Sequence, residues 1–93
     1  SLHDALPIYG NVDGVCGYVY YLDAINSKGE YTQTRNEYLR LAAYMGHSYA
    51  MYRVAKLYEG SEPDVAKQCY YTAAKWGYGP AITWCAQNDV TMD

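Results

Sequence analysis

Apolar residues recur three and four positions apart along the chain from residue 17 onward, which is the spacing of one face of an α-helix. In the first such stretch, residues 17–28, the apolar face comprises Val19, Leu22 and Ile25 with Tyr18 and Tyr21. Gly29 follows, where a helix C-terminus favours a left-handed residue. Residues 9–16 contain the turn formers Gly, Asn and Asp, so we predict a loop before this helix.

The same spacing predicts four further helices, over residues 34–45, 48–59 and 63–76 and from residue 80 onward. Residues 34–37, Thr-Arg-Asn-Glu, have the form of a capping box that begins a helix. Gly46 and Gly60 are expected to end the second and third helices, and Ser48 to cap the third. The predicted inward faces carry Tyr38, Leu41, Ala42, Met45, Ala50, Val54, Ala55, Leu57, Tyr58, Ala66, Cys69, Tyr70, Ala73, Ala74, Ala81, Ile82, Cys85 and Ala86.

Two of these helix junctions are near copies of each other. Residues 42–50 read Ala-Ala-Tyr-Met-Gly-His-Ser-Tyr-Ala, and residues 73–81 read Ala-Ala-Lys-Trp-Gly-Tyr-Gly-Pro-Ala. Small residues therefore recur at an offset of 31 positions, which is typical of an array whose helix pairs pack on one another. We predict an all-α fold, an α–α superhelix of about two and a half helix-turn-helix repeats with units at 17–46, 47–77 and 78–93.

The register of the first unit stays open. An offset of 31 pairs Tyr18 with Tyr49, Tyr21 with Tyr52, Ala24 with Ala55 and Gly29 with Gly60. It also places the charged Asp23 where Val54 lies one unit later, whereas a shift of one residue would place Leu22 there.

The second unit resembles the Sel-one-like repeat. Residues 50–60, Ala-Met-Tyr-Arg-Val-Ala-Lys-Leu-Tyr-Glu-Gly, and residues 64–77, Asp-Val-Ala-Lys-Gln-Cys-Tyr-Tyr-Thr-Ala-Ala-Lys-Trp-Gly, follow that family's order of small and aromatic residues. Val54 and Ala55 replace its Leu-Gly pair, and the loop at residues 60–63 is shorter than its Gly-x-Gly loop. The short loop brings the unit near the tetratricopeptide class, which lacks the doubled Ala followed by Gly. The resemblance covers roughly residues 17–93.

This resemblance implies a non-catalytic adaptor that binds a protein or peptide on the concave face of an array, beside neighbouring repeats of the same parent chain. The first helix of each unit would line that face. Residues that fall off the buried stripe of these helices are the candidate binding residues: Tyr21, Tyr52, Arg53, Lys56, Thr83, Trp84 and Gln87. Thirteen tyrosines with two tryptophans and no phenylalanine fit either a binding surface or rim packing between short helices.

The three cysteines are Cys16, Cys69 and Cys85, with no Cys-x-x-Cys pair, which speaks against a zinc site and a disulfide framework. A reducing compartment such as the cytoplasm is the default expectation. Cys69 and Cys85 each lie eight residues from Gly77, on the two arms of a helical hairpin. Some secreted members of the family staple their helix pairs with cysteines, so two buried thiols and a Cys69–Cys85 disulfide remain alternatives.

Other functional classes find less support in the sequence. A net charge of −3 without a basic stripe disfavours nucleic acid, and no apolar run approaches the length of a membrane span. His47 has no neighbouring ligand at metal spacing, and no phosphate-binding Gly motif occurs, so we expect no metal, cofactor or catalytic residue. The alternatives are a secreted, cysteine-containing repeat protein with an enzymatic or cell-wall-binding role, and the adaptor arm of a larger enzyme.

Residues 1–8, Ser-Leu-His-Asp-Ala-Leu-Pro-Ile, resemble along their whole length the translation of a common sequencing-adapter end. We interpret them as an artefact and take no candidate site residue from them.

Overall fold

The computed structural model describes residues 12–92 of the chain. This range contains five α-helices and no strand. They are α1 Val12–Ile25, α2 Thr32–Tyr44, α3 Ser48–Tyr58, α4 Pro63–Lys75 and α5 Gly79–Gln87. Each helix packs on the next in chain order, so the all-α prediction is confirmed and the packing is consistent with a helical repeat arrangement. The predictions for residues 1–8 and 9–11 lie outside the described residues.

The recurring Ala-Ala-x-x-Gly sequence forms the end of α2. The His47 N–H donates to the Ala42 carbonyl at 3.1 Å, and the Gly46 N–H donates to the Ala43 carbonyl at 3.0 Å. This pair of bonds is the Schellman motif, which needs a left-handed residue between them, and Gly46 has φ +96°.

The end of α4 repeats the same turn 31 residues later. The Tyr78 N–H donates to the Ala73 carbonyl at 3.1 Å and the Gly77 N–H to the Ala74 carbonyl at 2.9 Å, with Gly77 at φ +91°. Both helices therefore end by one mechanism, and both are followed by a helix that turns back along the array.

Alanine is the residue type that occurs most often in the buried core of the described residues. Four of them, related in pairs by the 31-residue offset, are completely buried: Ala42, Ala73, Ala50 and Ala81. Two apolar clusters form around them, the first built mainly from α1, α2 and α3, the second from α3, α4 and α5. Met51, Tyr58 and Cys69 pack against both clusters and join them into one core.

The first helix departs from the predicted register. It begins at Val12, so the predicted loop is wrong for residues 12–16, and Val15 is fully buried. Leu22 is 1% exposed while Ala24 is exposed, which favours the register shifted by one residue. The connection between α1 and α2 has six residues, 26–31, against four, 59–62, between α3 and α4. The longer connection allows α1 to pack on α2 in a register that differs from that of α3 on α4.

Two predictions of how the helices begin are also wrong. Helix α2 begins at Thr32, before the predicted capping box, and its N-cap residue makes no side-chain capping bond. Instead the Tyr31 N–H donates to the Asn26 side-chain carbonyl at 2.7 Å. His47, rather than Ser48, caps α3, because its Nδ1 accepts the Ala50 N–H at 3.3 Å.

The glycines expected to pair across the first two units are not equivalent. Gly29 has φ +76°, whereas Gly60 is not among the left-handed glycines, and α3 already ends at Tyr58. Gly60 therefore serves as an ordinary loop residue.

Most of the predicted inward residues are buried or half-buried. Leu39 was missed and is 1% exposed, while Ile82 and Ala86 were expected inside and are exposed. Both exposed residues lie on the side of α5 that faces away from the rest of the array.

Replacing either left-handed glycine should destabilise the fold through the backbone alone. A Cβ built on Gly46 or Gly77 meets no atom within 4 Å, so the cost of Gly46→Ala or Gly77→Ala is conformational, about 1–2 kcal/mol. The free energy of unfolding in urea measures it.

Gly60→Ala is the matched control, because Gly60 has the same open surroundings without the left-handed backbone. We expect it to be neutral or slightly stabilising. Equal losses at Gly60 and Gly46 would contradict the assignment of the turns.

Candidate functional site

Six aromatic rings form a continuous row across the array, which we call the aromatic row: Tyr20, Tyr49, Tyr78, Tyr52, Tyr70 and Trp84. In this order the successive ring centroids are 5.8, 5.8, 5.2, 5.5 and 4.0 Å apart. Aromatic pairs at such distances attract each other beyond their buried area, so the row is a preorganised surface.

Local structure places the centre of the row. Tyr49 and Tyr52 are three residues apart on α3, so both side chains lie on one face of that helix. Tyr78 is the N-cap residue of α5 and follows the left-handed Gly77 directly. The turn at Gly77 thus brings the Tyr78 ring against both tyrosines of α3.

The row runs from the core to the surface. Tyr70 is fully buried, stacks on Trp84 with an interplanar angle of 14°, and donates a hydrogen bond from its hydroxyl to the Glu59 carboxylate. Tyr20, at the opposite end, is 54% exposed, and the rings between them are half-buried. Both roles expected of the tyrosines from the sequence therefore occur in the row. Tyr70 packs in the core at one end, and Tyr20 forms part of the surface at the other.

Three phenol groups of the row, those of Tyr20, Tyr70 and Tyr78, have a raised pKa and keep their protons. Burial is the main cause that raises the pKa of Tyr20, Tyr70 and Tyr78, and a neighbouring tyrosine or Glu59 adds to it. Their hydroxyls are therefore hydrogen-bond donors at neutral pH rather than charges.

Two cations lie over the rings of α3. The Lys56 ammonium nitrogen is 4.8 Å from the Tyr52 centroid, and the Arg53 guanidinium carbon is 5.8 Å from the Tyr49 centroid. Lys56 is exposed, whereas the Arg53 side chain is only 20% exposed. Lys56 is thus the cation that a ligand on the row would meet.

Arg53 is held by an ion-pair network that joins three helices. The Asp23 carboxylate on α1 lies 2.7 Å from Arg53 on α3 and 3.2 Å from Arg35 on α2. Arg35 also donates to the Asn36 side-chain carbonyl at 3.1 and 3.2 Å. Asp23, which interrupts the apolar repeat in the sequence, therefore orients Arg53 beside Tyr49.

The two arginines control the titration of Asp23. Burial acts to raise its pKa, but hydrogen bonds from Arg53 and then Arg35 outweigh burial, so the pKa of Asp23 is lowered. The hydrogen bond to Asp23 in turn raises the pKa of Arg53. The network is charged at neutral pH.

The candidates predicted from the sequence divide between the row and its surroundings. Tyr52 and Trp84 belong to the row, with Arg53 and Lys56 against it. Tyr21 stacks on Tyr18 at 5.9 Å, outside the row, and is 57% exposed. Thr83 and Gln87 are exposed on α5.

Sequence reasoning missed Tyr20, Tyr49 and Tyr78. The spacing of Tyr49 and Tyr52 would have indicated the first ring pair, because residues three apart share a helix face. Nothing local links Tyr20 or Tyr78 to them, since both contacts come from other elements.

Cys69 and Cys85 are both free thiols, so the disulfide between them is not formed in this structure. Cys16 and Cys85 are buried, and Cys69 is half-buried. Burial raises the pKa of Cys69 and of Cys85, which favours the protonated thiol. Cys69 lines a shallow depression of about 370 Å³ together with Met51, Asp64, Val65, Gln68 and Thr72.

Within residues 12–92, no group of three or more His, Cys, Asp or Glu side chains comes together in a way that could hold a metal ion. No helix in that range is long and apolar enough to cross a membrane. Comparison of the chain with protein-family models, curated proteins and solved structures finds no match. The resemblance to the Sel-one-like repeat therefore rests on the residues themselves.

Removing the charge of Asp23 should lower stability and change its pH dependence. Asp23→Asn should cost about 1–2 kcal/mol at pH 7, because it leaves two half-buried arginines without their carboxylate. Since the folded-state pKa of Asp23 is lowered, its contribution is complete at neutral pH and is lost as the pH falls below about 4. Urea unfolding measured between pH 7 and 2.5 should show that the free energy of unfolding falls less steeply with pH in the variant than in the parent chain.

The matched control is Asp64→Asn, at an exposed carboxylate near the start of α4. In this variant the free energy of unfolding should fall with decreasing pH about as steeply as in the parent chain. An Asp23→Asn variant that lost stability in acid as steeply as the parent would contradict the network.

Thiol accessibility tests the state of the cysteines. Under native conditions a thiol reagent should label Cys69 slowly, because it alone is half-buried, and denaturation should release all three thiols. Cys69→Ser should abolish the slow labelling under native conditions, and two thiols should then react after denaturation. Recovery of a single thiol from the denatured, unreduced parent chain would instead support a disulfide.

Proposed function

We propose that this chain is a non-catalytic interaction module, an adaptor that binds a protein or peptide along the surface where α1, α3 and α5 carry the exposed part of the aromatic row. The observation that supports the proposal is the continuity of the row from Tyr20 through Tyr49 and Tyr78 to Tyr52. Tyr, Trp and Arg are the residue types that dominate the energy of protein interfaces.

The geometry favours binding because the rings are already ordered. Each ring of the row contacts the next, so little side-chain entropy remains to be lost when a ligand arrives. A tyrosine also has few rotatable bonds for the area that it offers. A preorganised aromatic surface of this kind suits apolar or proline side chains of an extended segment.

Charge adds a preference to this surface. Lys56 is exposed above the Tyr52 ring, whereas Arg53 is already paired with Asp23. The exposed Lys56 ammonium group can approach a ligand on the row and favours a carboxylate. We therefore infer a ligand segment that combines apolar or proline residues with an acidic residue.

The resemblance of residues 50–77 to the Sel-one-like repeat supports the same role, because arrays of that family bind proteins or peptides on the face of their first helices. In such an array α1, α3 and α5, which alternate with α2 and α4 along the chain, would be the first helices of successive units. The aromatic row crosses all three through Tyr20, Tyr49 and Trp84.

Selection from a random peptide library against the whole chain, followed by affinity measurement, tests the proposal. Tyr20→Ala should weaken the selected peptides about tenfold, which corresponds to ~1.4 kcal/mol, because it removes the exposed end of the row. Lys56→Ala should weaken the acidic peptides among them.

Tyr44→Ala is the matched control, since Tyr44 is 90% exposed on α2 and belongs to no ring pair of the row. The Tyr44→Ala variant should bind the selected peptides with an affinity within twofold of that of the parent chain. A binding surface on the row would be contradicted if no selected peptide bound saturably. It would also be contradicted if Tyr20→Ala and Tyr44→Ala reduced the affinity for the peptides equally.

A further inference from the structure

Arg53 and Lys56 lie three residues apart on one face of α3, and each is placed over one ring of the aromatic row. The Arg53 guanidinium carbon is 5.8 Å from the centroid of Tyr49. The Lys56 ammonium nitrogen is 4.8 Å from the centroid of Tyr52. The two cations therefore mark two successive places along the row where the carboxylate of a bound segment could be received.

The first of these cations is already paired within the chain. Arg53 Nη1 donates to Asp23 Oδ2 at 2.7 Å, and Arg53 Nη2 donates to Asp23 Oδ1 at 3.4 Å. Two guanidinium nitrogens thus face two carboxylate oxygens, which is the arrangement in which arginine and a carboxylate match best. Arg35 on α2 donates to the same carboxylate at 3.2 Å and holds it from a second helix.

A ligand carboxylate at Arg53 would have to compete with Asp23. Asp23 belongs to the same chain, so its contact with Arg53 loses no translational freedom, whereas the contact of a separate ligand does. Although burial acts to raise the pKa of Asp23, hydrogen bonds from Arg53 and Arg35 lower it, so the carboxylate is charged at neutral pH. A second carboxylate beside it would be repelled. Arg53 is therefore closed to an acidic ligand residue while Asp23 is in place.

The second cation is available to a ligand. Lys56 is exposed and takes no part in the network of Asp23, Arg35 and Arg53. That network is not sealed from solvent either, since the side chains of Arg53 and Asp23 are 20% and 30% exposed. Solvent reaches both cations, so the pairing with Asp23 is what distinguishes Arg53 from Lys56 chemically.

We propose that Asp23 determines where a ligand of the row can be acidic: by holding Arg53, it restricts the carboxylate of a bound segment to the place beside Lys56. This inference rests on the proposed function, because it describes how the same surface selects its ligand. Asp23 is a positioning residue that acts through Arg53. Removal of its carboxylate should therefore add a second acidic position to the ligand, whereas a merely structural residue would weaken all ligands alike.

The probes are peptides selected from a random library against the whole chain, restricted to those that Tyr20→Ala weakens. Because Tyr20 stacks on Tyr49 at 5.8 Å, such peptides reach the end of the row where Arg53 lies. Each peptide position is replaced in turn by Glu and by Gln, and the ratio of the two affinities is measured at neutral pH. The ratio is independent of any loss of folded receptor, since both peptides meet the same preparation.

In the parent chain we expect one peptide position that favours Glu over Gln, and this preference should disappear in Lys56→Ala. In Asp23→Asn a second position should favour Glu about fivefold, because a charge-assisted hydrogen bond to Arg53 becomes possible there. The second preference should be lost again in the double variant Asp23→Asn/Arg53→Gln.

Asp64→Asn is the matched control, because it removes the same charge at an exposed carboxylate on α4. It should leave a single acidic position. If peptides bind and the Lys56 preference is found, but Asp23→Asn adds no second position, this inference is overturned and the proposed function stands. A second position that survived in the double variant would assign it to Arg35 and would overturn the inference as well. Absence of saturable peptide binding would overturn both.

Discussion

Close approach between helices at alanine is the interaction on which this structure depends. Where the 31-residue offset is obeyed, at Ala42 and Ala73 or Ala50 and Ala81, no surface of the residue remains exposed. Because the alanine side chain is a single methyl group, a neighbouring element that buries it completely must pack close to its backbone.

The aromatic row is a consequence of the same arrangement. The turn that ends α4 at Gly77 sets the direction of the next residue, Tyr78, and so places its ring between two tyrosines of α3. The ion pairs of Asp23 draw α1 towards α2 and α3 and so help to hold the Tyr20 ring near Tyr49. Packing at one end of the row orders the rings that are exposed at the other.

The parts of the fold that depend on local physics could be predicted from the sequence. Helical periodicity, the left-handed glycines at 46 and 77 and the buried alanines all express the conformational preferences of neighbouring residues. The capping box at residues 34–37 failed because α2 begins earlier, at Thr32, where the Asn26 side chain accepts the N–H of the preceding Tyr31. A local motif was thus overruled by a partner from the preceding connection.

The sequence by itself determined that the chain forms short helices, where the turns at Gly46 and Gly77 fall, and which alanines mark the close contacts. Only the tertiary structure decided that Tyr20 meets Tyr49, that Arg53 pairs with Asp23 and that Ala86 stays uncovered while Ala55 is buried. The reason is physical. These relations depend on how whole helices lie against one another, and the length of the 26–31 connection shifts α1 in a way that no repeat offset encodes.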